Sequence, residues 1–203
     1  MNIKLGHTLA KKMIRCLSMS KKLIKINMGC GCRNFGEDWI HIDGGNYNHL
    51  DYNNITQLQY GTNEVDLIYA SHVLEYFDRE EVVNILKEWY RVLKPNGIIR
   101  LAVPDFKEIT KLYYMNGYNL DCFLGPLYGK MKMGDKVIYH RTVYDINSIE
   151  EVLQENGFSN VKRYDWRTTD HSGFDDHSQA YIPHMDKEEG TLISLNVEAV
   201  KKV

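Results

Sequence analysis

The chain has 203 residues, a formal net charge of −2 and an apolar fraction of 43%. That balance fits a single globular domain with a sizeable core and gives no overall charge for holding nucleic acid or anionic lipid. No apolar run is long enough to span a bilayer, and four cysteines (Cys16, Cys30, Cys32, Cys122) are too few for a disulfide framework and read as thiols of a reducing, cytoplasmic compartment.

The first 22 residues are basic. Lys4, Lys11, Lys12, Arg15, Lys21 and Lys22 come with no acidic residue before Glu37, and Leu9, Met13, Cys16 and Leu17 can share one helical face. Residues 1–22 therefore predict an amphipathic helix beside the first strand, with a nucleic-acid-binding arm or a presequence as the other readings. Leu23 to Met28 predicts the first strand. It breaks into Gly29-Cys30-Gly31, a turn whose glycines let backbone approach a ligand. Cys30 and Cys32 read as small residues of that turn, since no second Cys/His pair has zinc spacing. Trp39 to Ile42 predicts a second strand ending on Asp43, an acid placed to accept from the hydroxyls of a ribose.

After a polar stretch, Glu64 to Ala70 reads as a buried strand, and Ser71 to Phe77 leads into a helix. Val82, Leu86, Trp89 and Leu93 recur at helical spacing, and Lys94-Pro95-Asn96-Gly97 marks the stop. Ile98 to Val103 predicts the next strand, and Phe106 to Tyr114 another helix. Gly117 to Asp135 shows no clear period and reads as an insertion or lid, bounded near 115–140. Ser148 to Phe158 predicts a helix with Ser148 as N-cap, Glu151 at the capping-box position and Gly157 as stop. Val161 to Trp166 and Leu192 to Val200 predict the last two strands. Strands alternating with helices imply an α/β fold, doubly wound around a mostly parallel sheet, with residues 23–203 as one domain. Ligands in such sheets sit beyond the carboxyl ends of the strands.

Four segments together resemble the class I S-adenosylmethionine-dependent methyltransferases. They are Asn27-Met28-Gly29-Cys30-Gly31, Trp39-Ile40-His41-Ile42-Asp43, Val65 to Glu75, and Glu88-Trp89-Tyr90-Arg91-Val92-Leu93-Lys94-Pro95-Asn96-Gly97. The likeness is greatest to a group of small methyltransferases without an assigned substrate. It implies a Rossmann-like sheet of seven strands with the last antiparallel, and S-adenosylmethionine as cofactor. It implies that Gly29 and Gly31 line the amino-acid half of the cofactor, with Asn27, Met28 and Cys30 also at the cofactor site. Asp43 would hold the ribose, Asn54 and Ile55 would border adenine, and Ser71 and His72 would face the sulfonium. Asn27 stands where many members carry an acid. Ala70-Ser71-His72 replaces the Asn-Pro-Pro-Tyr or Asp-Pro-Pro-Tyr of the enzymes that methylate exocyclic or amide nitrogen.

A hydroxyl acceptor must lose its proton during methyl transfer, commonly to a histidine or carboxylate. The candidates are His72, Asp105, His140 and His177. For each a structural role competes: His72 as a packed helix start, Asp105 as a helix cap, His140 as an anchor of the insertion. The run Asp170 to Asp186 is long for a connection and rich in Asp, His and Tyr. It reads as an acceptor pocket, as a self-bonded structural loop, or as a divalent-metal site through His171, Asp175, Asp176 or His177. The expected function is methyl transfer to a small polar acceptor, a sugar, glycan precursor or related metabolite. An RNA methyltransferase and a cofactor-binding module without catalysis are the other readings.

Overall fold

The computed structural model describes residues 22–202, so the expectation for the basic N-terminal helix or arm lies almost wholly outside the described residues. The central sheet is built from β1 (Lys25–Met28), β2 (Ile40–Ile42), β3 (Val65–Ser71), β4 (Leu93–Pro104), β7 (Phe158–Arg163) and β10 (Ser194–Lys201). Their order is β2-β1-β3-β4-β10-β7. The first four run parallel, and β10 lies antiparallel between β4 and β7. Two short hairpins stand apart: β5 (Met131–Met133) with β6 (Lys136–Ile138), and β8 (Tyr181–Ile182) with β9 (Thr191–Leu192).

The sheet has six strands, where the resemblance implied seven. The polar stretch after Asp43 contributes only an isolated bridge from Ile42 to Tyr52. Its Asn, Gly and Thr residues favour turns over a paired edge strand. Asn54 illustrates this, accepting from the N–H groups of Thr56 and Gln57 to close a turn.

One face of the sheet carries Ile26, Met28, Ile68, Ile99, Leu101 and Val197. It buries them under α1 (Arg79–Val92) and α4 (Ile146–Glu155). α1 forms where Val82, Ile85, Leu86, Trp89 and Val92 make one apolar stripe, and Asp78 caps it in a reciprocal box with Glu81. The start of α4 departs from the sequence reading. Asp145 is the N-cap and Ser148 occupies the third helical position, because the Asp145 carboxylate takes the Ser148 N–H while the Ser148 hydroxyl takes that of Asp145. β7 likewise begins three residues earlier than expected, directly after Gly157 turns the chain at φ +92°. α2 (Phe106–Asn116) follows β4. The aperiodic segment after it contains α3 (Asp121–Tyr128) and the β5–β6 hairpin; Gly125 and Pro126 inside α3 hide its helical pattern.

The other face is covered differently. Only residues 29–39 link the parallel strands β1 and β2, and they form no helix, although such crossovers usually carry one. Phe35 and Trp39 pack there on Leu67 and Tyr69. The late segment completes the cover. His171 is buried, its ring parallel to Phe35 at 5.6 Å and 4.0 Å from Tyr69. The Tyr69 hydroxyl donates to Asp176 at 2.6 Å, and Asn196 donates to the Ser178 carbonyl at 2.8 Å. Much of the Asp/His/Tyr density of this run therefore holds a loop in the place of a missing helix. Asp176→Ala should remove both the Tyr69 bond and the cap on Ser178. A loss of about 1–3 kcal/mol in urea unfolding is expected; an unchanged midpoint would show that the loop does not anchor the sheet.

Candidate functional site

The glycine turn begins with the closest backbone approach in the region. Gly29 has φ +64°, and its N–H donates to the Ile42 carbonyl at 2.6 Å. A Cβ on Gly29 would stand 2.3 Å from Val73 Cγ2, so a side chain would push β1 away from the end of β3. Gly31 also sits at positive φ, +57°, but a Cβ there would meet only Arg33 Nη1, at 3.9 Å. The two glycines thus serve different ends: Gly29 closes a packing contact, and Gly31 leaves open space beside the turn. Cys30 is buried, its thiol pushed up to about 12 by burial and by Asp43, so it stays protonated.

Asp43 ends β2 with its carboxylate turned back on the glycine turn. Oδ2 accepts the Gly31 N–H at 2.8 Å and Oδ1 the Gly45 N–H at 2.6 Å. A carboxylate has roughly four lone-pair sites, so acceptor capacity remains on both oxygens. Asn27 is buried at the same end of the sheet with its Nδ2 unpartnered, and the Ser71 hydroxyl is also buried without a partner. Buried polar atoms left unpaired are uncommon and point to a missing partner. Met28 packs into the core. Asn54 is spent on its own turn, and Ile55 packs against the core while its carbonyl accepts from Trp89 at 2.8 Å.

Beyond β3 the chain turns sharply at His72, whose φ of +54° is costly for a residue with a side chain. Its ring is nearly enclosed. Nδ1 stands 3.2 Å from Glu75 Oε1, Nε2 stands 3.3 Å from Ser194 Oγ, and the His177 ring lies 5.2 Å away between centroids. Burial, with the nearby His177, His140 and Arg33, holds the His72 ring well below the usual histidine range. His140 Nε2 approaches the same Glu75 oxygen at 3.8 Å, while its Nδ1 meets the Pro126 carbonyl at 3.0 Å. His140 is thereby tied to α3, as is Tyr76, which donates to the Gly129 carbonyl. Glu75 is fully buried, and burial raises its carboxyl to about 8.

Of the sequence candidates, His72, His140 and His177 meet at the carboxyl end of β3. Asp105 does not join them as a free group. It is the N-cap of α2, with Oδ1 accepting from Lys107 and Glu108 and Oδ2 from Arg163 at 2.9 Å. His177 is solvent-exposed, and burial of part of its ring together with Arg33 lowers its pKa. Two residues of the site had no role in the sequence reading. Glu75 lies three positions after His72, in the short 3-10 turn Leu74–Tyr76 that follows it, and that turn brings its carboxyl back onto the His72 ring. Arg33 reaches across to the late segment, donating from Nε to the Asp175 carbonyl.

A cavity of about 480 Å³ opens at the opposite ends of β1, β3 and β4, between Lys25, Asp66, Lys94, Arg100 and Asp170. Its charges pair with one another: Lys25 with Asp170, and Lys94 with Asp66. It lies at the wrong edge of the sheet for the ligands of this architecture.

A family model for a methyltransferase domain matches residues 37–101. No curated protein matches the chain. Among solved structures, a S-adenosylmethionine-dependent methyltransferase of Methanosarcina mazei is 17% identical, with a TM-score of 0.53 over 90% of this chain and 94% of the other. A Haloferax volcanii methyltransferase solved with its activator is 14% identical, with a TM-score of 0.51 over 96% and 88%. The Burkholderia thailandensis 1,6-didemethyltoxoflavin-N1-methyltransferase, solved with that substrate and S-adenosylhomocysteine, is 11% identical, with a TM-score of 0.51 over 89% and 71%. At these identities the likeness is one of fold.

Two measurements test the geometry. Gly29→Ala should lower the melting temperature through its clash with Val73, whereas Gly31→Val should keep the fold at a cost of roughly 1–2 kcal/mol and lose S-adenosylhomocysteine binding in calorimetry. Normal binding by Gly31→Val would place the ligand away from the turn. Glu75 gives a pH signature. Its carboxyl is raised in the folded chain, so between its ordinary 4.5 and about 8 the folded state holds a proton that the unfolded state has lost. Its contribution is complete below pH 4.5 and falls as pH rises to about 8. Glu75→Gln should flatten that slope; an equal slope in both proteins would place the carboxyl in water.

Proposed function

We infer that this chain, a class I S-adenosylmethionine-dependent methyltransferase by its domain match and its fold, methylates a hydroxyl of a small polar acceptor, such as a sugar, a glycan precursor or a related metabolite. The observation that carries the hydroxyl reading is the group of three histidines and a buried glutamate at the carboxyl end of β3, beside the glycine turn.

The residues on the cofactor side fit S-adenosylmethionine. Asp43 has lone pairs left for ribose hydroxyls, the unpartnered Asn27 Nδ2 and Ser71 hydroxyl offer polar contacts, and the space at Gly31 admits a ligand against backbone. Asn27 can donate as well as accept, so it suits a carboxylate as readily as the ammonium that an acid would favour. When bound, the sulfonium supplies an electrophilic methyl group for in-line displacement. The protein must then hold the acceptor oxygen near attack distance, exclude water and receive a proton. Positioning of this kind is worth ~7–11 kcal/mol, and proton transfer about 10²–10⁴-fold. His177 reaches solvent and stands against His72, so it can meet an acceptor entering from the late segment. Burial lowers the pKa values of His72, His140 and His177, which keeps the imidazoles neutral near pH 7 and able to accept.

Among the described residues no helix is long and apolar enough to cross a membrane. Asp43→Ala should weaken S-adenosylhomocysteine by ~1.5–3 kcal/mol for each charged hydrogen bond lost. Unchanged affinity in calorimetry would remove Asp43 from the ribose, and tight NAD binding by the wild type would overturn the reading of the site.

A further inference from the structure

We propose that Glu75 is a positioning residue for His72: one carboxyl proton decides which ring nitrogen of His72 carries hydrogen. This rests on the reading of the carboxyl end of β3 as the acceptor side.

The hydrogen positions follow from obligate donors and acceptors. Asn196 Nδ2 donates to the Ser178 carbonyl at 2.8 Å, which turns its Oδ1 toward Ser194. The Ser194 hydroxyl donates to that oxygen at 2.9 Å, so its hydrogen is committed. His72 Nε2, 3.3 Å from Ser194 Oγ, must then be the donor of that contact. A neutral ring with hydrogen on Nε2 has a bare Nδ1, and Nδ1 faces Glu75 Oε1 at 3.2 Å. His140 arrives at the same state from the other side. The Pro126 carbonyl can only accept, so His140 Nδ1 carries the hydrogen and its bare Nε2 faces Glu75 at 3.8 Å. No side chain of a described residue donates to either Glu75 oxygen, whose one backbone donor is Glu75's own N–H, and the side chain is wholly buried. A buried carboxylate facing two lone pairs would be strongly disfavoured; a carboxylic acid there supplies the missing hydrogen.

This arrangement defines two states that differ by one proton. In the first, Glu75 is protonated and His72 carries hydrogen on Nε2. In the second, Nε2 has lost its proton, the Glu75 proton has moved to Nδ1, Glu75 is a carboxylate, and the Ser194 hydroxyl has turned its hydrogen from Asn196 Oδ1 to the bare Nε2. The ring never becomes an imidazolium, which suits a site where burial and three neighbouring cations or imidazoles already oppose a positive charge. The groups facing this pair are His140, His177 and Arg33 around His72, with Tyr144 and Tyr76 beside Glu75.

The test is nitrogen NMR of ring-labelled full-length protein saturated with S-adenosylhomocysteine, read across the Glu75 titration near pH 8. His72 should show hydrogen on Nε2 at the acid side and on Nδ1 at the alkaline side. In Glu75→Gln the exchange should vanish over the same range. A His72 that carries hydrogen on Nδ1 at the acid side in the wild type overturns the proposal, and that result does not require the variant to fold. An exchange that persists in Glu75→Gln also overturns it. The readout needs no methyl transfer, so an inactive acceptor panel would count against the hydroxyl reading and leave this assignment to the spectrum.

Discussion

The structure depends on the absence of one methyl group. Gly29 passes so close to Val73 that no side chain fits between them. That contact fixes the end of β1 against the end of β3 and, through the Gly29 and Cys30 N–H groups on the Ile42 carbonyl, against the end of β2. Three strand ends then converge. Asn27, Asp43 and Ser71 share one rim because backbone, not side chain, sets their spacing. His72 leaves this junction at positive φ, a strained turn that the hydrogen bond from its N–H to the Ala102 carbonyl helps to hold.

A second consequence comes from the short link between β1 and β2. Without a crossover helix, one sheet face would expose Leu67, Tyr69 and Trp39. The late segment covers them with His171, Phe174 and Asp176, and polar bonds inside the loop satisfy the atoms that a helix would have satisfied internally. The same segment delivers His177 to His72. Structural cover and the proposed acceptor side thus share one loop: Asp176 bonds inward to Tyr69, and the next residue, His177, lies against His72.

The strands of the central sheet and α1 were legible because apolar runs, glycine turns and helical spacing each follow local physics. The missing seventh strand was not legible in the same way, since it came from a resemblance rather than from any run of residues between Asp43 and Glu64. α3 was hidden because Gly125 and Pro126 disrupt a helical pattern that the packing of Phe123 nonetheless selects. Within the site, Asp43 and the histidines could be picked out by residue type and position. The cap role of Asp105 depends on Arg163, 58 residues away, and Glu75 gains meaning only when α3 brings His140 over it. Contacts of that range leave no spacing in the sequence.

The sheet edge that binds the ligand is the central claim, and it has a direct test. A crystal structure with S-adenosylhomocysteine should place the ribose on Asp43 and the thioether sulfur beside Ser71 and His72, facing His177. The ligand lodged instead in the cavity between Lys25, Lys94 and Arg100, at the opposite edge of the sheet, would contradict the account.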